Sequence, residues 1–195
     1  MSNLFDTLTK KEKEMIRITS YKKDTIIFHE DDICDVICVI LEGSIDILSY
    51  SFSGKEIVYN NLKKGDVFGN NLIFSDKPTF RGNVITKEKS RLAIIHKNTL
   101  IKLLKENELF LIEYLRIQSN FGKSLNARIK LLGLDNAEDR FMYYMYLNKG
   151  SIAFKNITSL SQILGLARET LSRLISRLIK EKKIERNKKT ISLLP

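Results

Sequence analysis

The first half of the chain follows the pattern of a β protein. Short runs rich in Ile, Val, Phe and Tyr are separated by turns that contain Gly, Asp and Pro, which is typical of a β-sandwich or roll. The runs are residues 25–28, 36–41, 44–48, 56–59, 67–68 and 92–95. A short helix is predicted before these strands, over about 10–19, and another after them, over about 98–107. Residues 1–107 are therefore expected to form one β-roll, or jelly roll.

A different period begins at residue 108. Apolar or small residues recur there at steps of three and four with polar residues between them, which predicts one long amphipathic helix over 108–133. The recurring positions are Leu109, Ile112, Leu115, Ser119, Gly122, Leu125, Ile129 and Leu132. This apolar stripe needs a partner, and a second copy of the helix in a two-fold homodimer is the interpretation we favour. Packing on the chain's own β-roll is the alternative.

Residues 134–195 are predicted to form a winged helix-turn-helix, so that the fold class of the chain is α+β. The pair Asp135-Asn136 supplies an N-cap for a helix over 137–147, and residues 152–154 indicate a short strand. Two further strands are expected around the turn 187–190, as the wing.

A helix-turn-helix pattern lies between the short strand and the wing. Thr158 or Ser159 is expected to cap a short helix, and Gly165 is expected to form the turn before a longer one. In the longer helix, apolar and polar residues fall on opposite faces. The apolar face consists of Leu171, Leu174, Ile175 and Leu178, and the polar face of Arg168, Glu169, Ser172, Arg173 and Ser176.

This polar face has the chemistry of a reader of the DNA major groove. An Arg side chain donates two hydrogen bonds to guanine, and a Glu side chain accepts one from cytosine. A surface that binds only phosphate has no use for Glu169, because the carboxylate repels the backbone. The alternative is a solvent-exposed helix with an ion pair between Glu169 and Arg173. The glycine turn and the basic surroundings favour DNA.

The charge distribution favours the same interpretation. The net charge of the chain is +10. Residues 155–195 hold ten Lys or Arg against three Asp or Glu, whereas the preceding residues hold 23 against 20. A basic excess concentrated at one end is typical of a module that neutralises phosphates, with a solvated basic tail as the alternative. Lys188 and Lys189 in the predicted wing are the expected phosphate contacts.

These motifs resemble those of the Crp/Fnr family of bacterial transcription regulators, and the resemblance runs through almost the whole chain. The run 168–173 resembles the recognition-helix motif of the family, and 136–140 the stretch that joins its dimer helix to its DNA-binding domain. The runs 41–44 and 64–69 resemble its cyclic-nucleotide-binding β-roll.

The resemblance implies a sensor domain over 1–107, a dimerisation helix over 108–133 and a DNA-binding domain over 134–195. The implied function is that of a homodimer that reads palindromic double-stranded DNA. RNA polymerase and an unknown small effector are further partners to consider. The implied DNA contacts are Thr158, Arg168, Glu169, Thr170, Ser172, Arg173, Lys188 and Lys189.

The sensor departs from its cyclic-AMP-binding relatives. They carry a Glu after the Phe-Gly pair and an Arg further along, where this sequence has Asn70 and Phe80. Arg81 would face the opposite side of an alternating strand. We therefore predict no cyclic-AMP binding, because a buried phosphate without an Arg is poorly compensated; a register slip that returns Arg81 to the pocket is the alternative. The implied effector pocket comprises Phe68, Gly69, Asn70, Asn71, Phe80, Arg81, Leu125 and Asn126.

No other cofactor is predicted. The oxygen-sensing branch of the family holds a four-iron, four-sulfur cluster with four Cys, whereas this chain has only Cys34 and Cys38. We interpret these as reduced, partly buried thiols, with a redox-sensitive thiol as the alternative. His29 and His96 are too scattered to indicate a metal site.

An enzyme is not predicted, because the sequence has no clustered His and Glu ligands, nucleophile elbow, P-loop or dinucleotide motif. A small-molecule-binding or cupin-like β-roll with a non-specific basic tail is the alternative function. The sequence also lacks an apolar signal-peptide region and any run long enough to span a bilayer, so a cytoplasmic protein without a membrane partner is expected.

Overall fold

The computed structural model of the protein describes residues 4–51, 54 and 56–194, with Tyr59 described by its backbone alone. Residues 1–3 and 195, at the outer ends of the predicted segments, lie outside the described residues. The chain folds into two compact units, residues 1–120 and 121–195. The division falls inside the long helix, between residues 120 and 121.

Within the described residues, the first unit is a β-roll built from two four-stranded antiparallel sheets. The strand order is β1-β8-β3-β6 in one sheet and β2-β7-β4-β5 in the other. The elements are a 3-10 turn Leu4–Thr7, α1 Lys10–Lys13, β1 Arg17–Tyr21, β2 Ile26–Phe28, β3 Val36–Glu42, β4 Ser44–Tyr50, β5 Glu56–Lys63, β6 Val67–Phe68, β7 Asn83–Thr86, β8 Ser90–His96, α2 Lys97–Glu106 and the start of α3 Glu108–Gly133. This confirms the predicted β-roll and the six predicted strand positions.

The core of the first unit lies around β3 and β8, which pair with each other in the middle of their sheet. Both faces of these two strands are buried, so their sequences are continuously apolar and do not alternate between apolar and polar residues. Phe110 and Tyr114 from the first turns of α3 are buried in the same core. The start of the long helix therefore belongs to the β-roll.

The prediction of a helix over 10–19 is wrong beyond its first turn. A capping box between Thr9 and Glu12 starts α1, but α1 ends at Lys13. The following β-branched residues form β1, which pairs with β8 from Arg17 to Tyr21. A sheet edge that needed a partner outweighed local helix propensity. Strand β7, Asn83–Thr86, was not predicted either.

The second unit is a small helical domain with a three-stranded antiparallel sheet of order β10-β11-β9. Its elements are the end of α3, then α4 Ala137–Leu147, β9 Ser151–Ala153, α5 Ile157–Leu164, α6 Arg168–Lys180, β10 Ile184–Asn187 and β11 Thr190–Leu193. The predicted winged helix-turn-helix and its order of elements are confirmed. Asn136 caps α4 as predicted, since its side chain accepts a hydrogen bond from the Asp139 backbone N–H at 2.8 Å.

The cap of α5 differs from the prediction. Asn156, not Thr158 or Ser159, is the N-cap, and its side chain accepts from the Ser159 backbone N–H at 2.8 Å. Ser159 forms the other half of the capping box. The N-cap lies two or three residues earlier than predicted, because Asn156, Thr158 and Ser159 all have side chains that can cap a helix.

The long helix α3 spans the predicted 108–133 and leaves an apolar stripe uncovered. Leu109 is 71% exposed and Ile129 is 62% exposed. The exposed apolar residues of this helix are Leu109, Ile112, Leu115, Phe121, Leu125, Ile129 and Leu132. Among the described residues, no helix is both long enough and apolar enough to cross a membrane.

Candidate nucleic-acid interface

The turn between α5 and α6 sets where the longer helix begins. Gly165 ends α5 in the left-handed conformation, with φ +62°. The positive φ favours glycine, and a Cβ at this position would also lie 2.8 Å from Leu132 Cδ2, so that this side chain would have to move. The Leu166 backbone N–H donates to the Ser161 carbonyl at 2.9 Å and closes the turn.

Helix α6 is strongly amphipathic. Leu171, Leu174, Ile175 and Leu178 are buried in the core of the second unit, as predicted. The burial of one face fixes the rotation of the helix about its axis. The opposite face, with Arg168, Glu169, Thr170, Ser172 and Arg173, is therefore exposed.

The structure brings four of the predicted DNA contacts together. Arg168, Glu169, Ser172 and Arg173 line one open surface cleft. The side chains of Arg168, Glu169 and Arg173 make no ion pair or hydrogen bond with any other residue in the described part of the chain. The ion pair between Glu169 and Arg173, which was the alternative interpretation, is therefore absent from the described residues. Thr170 and Arg173 also border a second cleft, beside the first turn of α4.

The end of α6 is anchored by charged side chains that the sequence reasoning did not single out. Glu138, on α4, pairs with Arg177 at 2.5 Å and with Lys183 at 3.3 Å. Lys183 also contacts Glu181 at 2.9 Å. This hydrogen bond lowers the pKa of Glu181 and raises the pKa of Lys183. Arg177 therefore has a partner within the unit, unlike Arg173.

The remaining predicted DNA contacts lie outside α6. Lys188 and Lys189 form the exposed turn between β10 and β11, as the wing prediction required. The turn is held in place by the Phe154 backbone N–H, which donates to the Lys189 carbonyl at 2.9 Å. Thr158 is exposed in the first turn of α5 and does not cap it. Their roles toward DNA stay predictions.

In the first unit, the predicted effector residues Phe68 and Phe80 belong to a cluster of aromatic rings. The ring of Phe28 lies edge-on to Phe68, with centroids 6.5 Å apart, and stacks on Phe80. Phe80 is 2% exposed and Arg81 is exposed, although both residues precede β7 and neither lies in the expected strand. An aromatic ring therefore occupies the interior position at which the resemblance to cyclic-AMP-binding relatives implies an Arg.

Asn70 is buried and committed to the start of α3. Its side-chain amide donates to the Gln118 side chain at 2.7 Å. Its backbone carbonyl accepts from Tyr114 Oη at 3.0 Å and from Gln118 Nε2 at 2.8 Å. Gln118 and Tyr114 were missed by the sequence reasoning, because nothing in their spacing distinguishes them from other polar helix residues. Burial raises the pKa of Tyr114, so its hydroxyl stays protonated and can donate.

The other predicted effector residues differ in burial and belong to both units. Gly69 is buried with φ +79°, and a Cβ there would lie 2.6 Å from the Val36 carbonyl oxygen. Asn71 is exposed. Leu125 and Asn126 are exposed on α3 in the second unit.

The two thiols are buried, and both are protonated. Burial raises the pKa of the Cys34 thiol to about 11 and raises that of Cys38 further. Cys34 donates weakly to the Val36 carbonyl at 3.5 Å. A reactive thiolate needs a lowered pKa and access to solvent, so these positions suit small apolar residues rather than redox sensors. Among the described residues, no group of three or more His, Cys, Asp or Glu side chains is placed to hold a metal ion.

Comparison with known proteins gives matches to regulators. Residues 18–107 match the family model described as cyclic nucleotide-binding domain. The Anaerobic regulatory protein of Bacillus subtilis (strain 168) is 24% identical over 109 residues, which are 56% of this chain and 46% of that protein. The chain thus matches less than half the length of this curated relative.

Two solved structures extend the likeness. A transcriptional regulator of Thermotoga maritima is 25% identical, with a TM-score of 0.59 over 64% of this chain and 96% of that one. A mutant of CooA from Carboxydothermus hydrogenoformans is 18% identical, with a TM-score of 0.74 over 98% of this chain and 91% of that one, and therefore shows a common fold. The sequence match identifies residues 18–107 as a cyclic nucleotide-binding domain, and the chain shares the fold of these regulators.

Proposed function

We propose that this protein is a sequence-specific DNA-binding transcription regulator that binds a palindromic site as a homodimer. One observation carries the proposal. Arg168, Glu169, Ser172 and Arg173 lie together, exposed, on a helix whose opposite face is buried. Helix α6 has 13 residues and is about 20 Å long, a size that the major groove admits.

The mixture of charges on this face favours base recognition. Arg168 and Arg173 have free guanidinium groups for guanine O6 and N7, and Glu169 has a free carboxylate for the cytosine amino group. Because these side chains are not used inside the described chain, their hydrogen-bonding capacity is available to a ligand. Lys188 and Lys189 on the wing supply positive charge for phosphates.

The uncovered stripe of α3 supports the homodimer. Several large apolar side chains are exposed along one face of this helix, and such a face needs another apolar surface to cover it. The same face of a second copy supplies that surface in a two-fold dimer. A dimer places two recognition helices about 34 Å apart, one turn of DNA, so that they read successive major grooves. This geometry predicts a palindromic site.

The interior of the sensor supports binding without cyclic AMP. Phe80 fills the position of the phosphate-binding Arg, and the Asn70 side chain is already bonded to Gln118. We therefore propose that DNA binding is either constitutive or gated by an effector of another class. In this role the protein acts in the cytoplasm and performs no catalysis, and RNA polymerase is the partner through which it changes transcription.

The test is selection of DNA from a random library by the purified, ligand-free protein at physiological salt. We expect a palindrome to be enriched. Arg173→Ala should blur or abolish the enrichment, because a base contact is lost. Lys102→Ala removes a positive charge from an exposed position on α2 and should enrich the same palindrome as the unaltered protein. Salt-sensitive binding with no enriched sequence, from either protein or variant, would reject specific recognition by the ligand-free protein.

A further inference from the structure

The carbonyls at the end of α5 receive hydrogen bonds from two arginines outside the helix-turn-helix. Arg128, on the last part of α3, donates from Nη1 to the Ile163 carbonyl and from Nη2 to the Gln162 carbonyl, the latter at 3.5 Å. Helix ends leave carbonyls that the helix itself does not satisfy, and cations are favourable there because of the helix dipole. A guanidinium meets both needs.

Arg140, on α4, joins two separate connections. Its Nε donates to the Leu134 carbonyl at 2.8 Å, in the link between α3 and α4. Its Nη1 donates to the Gly165 carbonyl at 3.0 Å, in the turn before α6. The planar fork of Arg can hold two carbonyls at once, whereas Lys has a single terminal nitrogen.

Apolar side chains of α3 also lie at this place. Leu132 Cδ2 is 2.8 Å from the point that a Cβ on Gly165 would occupy. Leu131 is buried in the same core as Leu164 and Leu171, the residues on either side of the turn. The final turns of α3, the start of α4 and the turn before α6 are therefore packed and hydrogen-bonded as one piece.

We propose that Arg128 and Arg140 are positioning residues that fix the turn before α6 and thereby fix how its polar face is presented. Neither residue lies on that face. Their effect on DNA rests on the proposed function, but their effect on the turn does not. Each guanidinium donates charge-assisted hydrogen bonds to neutral carbonyls, and these bonds depend on the shape of the guanidinium as well as on its charge. Replacement by Lys keeps the positive charge but should lose these hydrogen bonds.

The test compares Arg128→Lys and Arg140→Lys with Arg17→Lys, which makes the same exchange at an exposed position on β1 in the first unit. We expect each of the first two variants to bind its specific palindrome about tenfold more weakly, because a charge-assisted hydrogen bond is lost. Affinity for unrelated DNA and its dependence on salt should not change, since no positive charge is lost. An equal loss of affinity for unrelated DNA would instead indicate a phosphate contact and overturn the proposal.

Amide hydrogen exchange gives a readout that does not require DNA. The Gly165 and Leu166 backbone N–H groups close the turn by bonding to the Gln162 and Ser161 carbonyls. Their exchange should quicken in Arg128→Lys and Arg140→Lys, while exchange in α2 stays as in the unaltered protein. If the unaltered protein binds no DNA, the proposed function fails and this measurement alone decides the present inference. Unchanged exchange at both amides would overturn it.

Discussion

The ring of Phe80 stacks on the ring of Phe28, with centroids 4.4 Å apart and planes 14° from parallel. Phe80 is buried, at the position where the resemblance to cyclic-AMP-binding relatives implies an Arg. An aromatic pair of this kind is stabilised by apolar burial and by ring contact, and both would be lost if a charged phosphate entered. The Phe28–Phe80 pair is therefore our physical reason to expect that the phosphate of cyclic AMP is not bound there.

Cyclic AMP is therefore expected to leave the protein unchanged. A ligand present at 100 times its Kd would raise the free energy of unfolding by about 2.7 kcal/mol. We expect no rise in Tm with 1 mM cyclic AMP, a concentration of about 100 Kd for a ligand with a Kd of about 10 µM. A clear rise that disappears in Arg81→Ala would contradict this and show that Arg81 enters the pocket.

The fold could be predicted where the periodicity extended over many residues. The long helix α3 and the apolar face of α6 agree with the pattern because each has several buried or exposed positions at regular steps. Strand β1 was misread as helix because its place in the sheet depends on pairing with β8, about 70 residues away along the chain. Such a contact leaves no local signal.

The candidate DNA-binding face was predictable for the same reason, since Arg168 and Arg173 lie on the surface opposite a clear apolar stripe. The residues that support it were not. Arg128 and Arg140 donate hydrogen bonds to backbone carbonyls. Because every residue has such a carbonyl, the sequence of the acceptor residues gives no sign of these contacts. The bond between Asn70 and Gln118 links residues that are 48 positions apart, and neither is unusual by itself.

The buried thiols predict a loss of stability at high pH. Burial raises the pKa of Cys34 to about 11, from an ordinary value of 9.0. The stabilisation is complete below pH 9 and is lost as the pH rises toward 11, because only the unfolded thiol ionises in that window. We expect the free energy of unfolding to fall by up to about 2 kcal/mol for this group. Urea denaturation at pH 7, 9 and 10.5 measures it.

Cys34→Ala is the matched variant for that experiment. It should flatten the pH dependence without removing all of it, because burial also raises the pKa of Cys38 and of Tyr114. In the folded protein at pH 8, both thiols should react with a disulfide reagent far more slowly than after unfolding in guanidinium chloride. Rapid modification of the folded protein would show that a thiol reaches solvent.

The wing lysines should affect affinity without affecting sequence preference. Replacing Lys188 and Lys189 with Gln removes two positive charges from an exposed turn. If each neutralises one phosphate, the slope of log K against log salt should become shallower by about 1.8. The enriched sequence should remain the same, because phosphates carry no base information. Titration at several salt concentrations measures the slope, and an altered consensus would mean that the wing reads bases.

The exposed stripe of α3 gives the last prediction. Leu125 and Ile129 are 49% and 62% exposed, on one side of the helix. Replacing both with Glu places charges in the proposed dimer interface, where desolvation and repulsion oppose association. We expect sedimentation to show a monomer at concentrations where the unaltered protein is a dimer. Affinity for a palindrome should fall by at least about tenfold, because binding of one subunit to its half-site no longer brings a second subunit to the other half-site.

Lys123→Glu is the control, since Lys123 is exposed on the opposite side of the helix from Leu125. This change also adds negative charge to α3, but it should leave the dimer intact. Circular dichroism checks that both variants remain folded. If the double variant sediments like the unaltered protein, the stripe is not the dimer interface. If the control dissociates as well, net charge rather than the apolar stripe controls association.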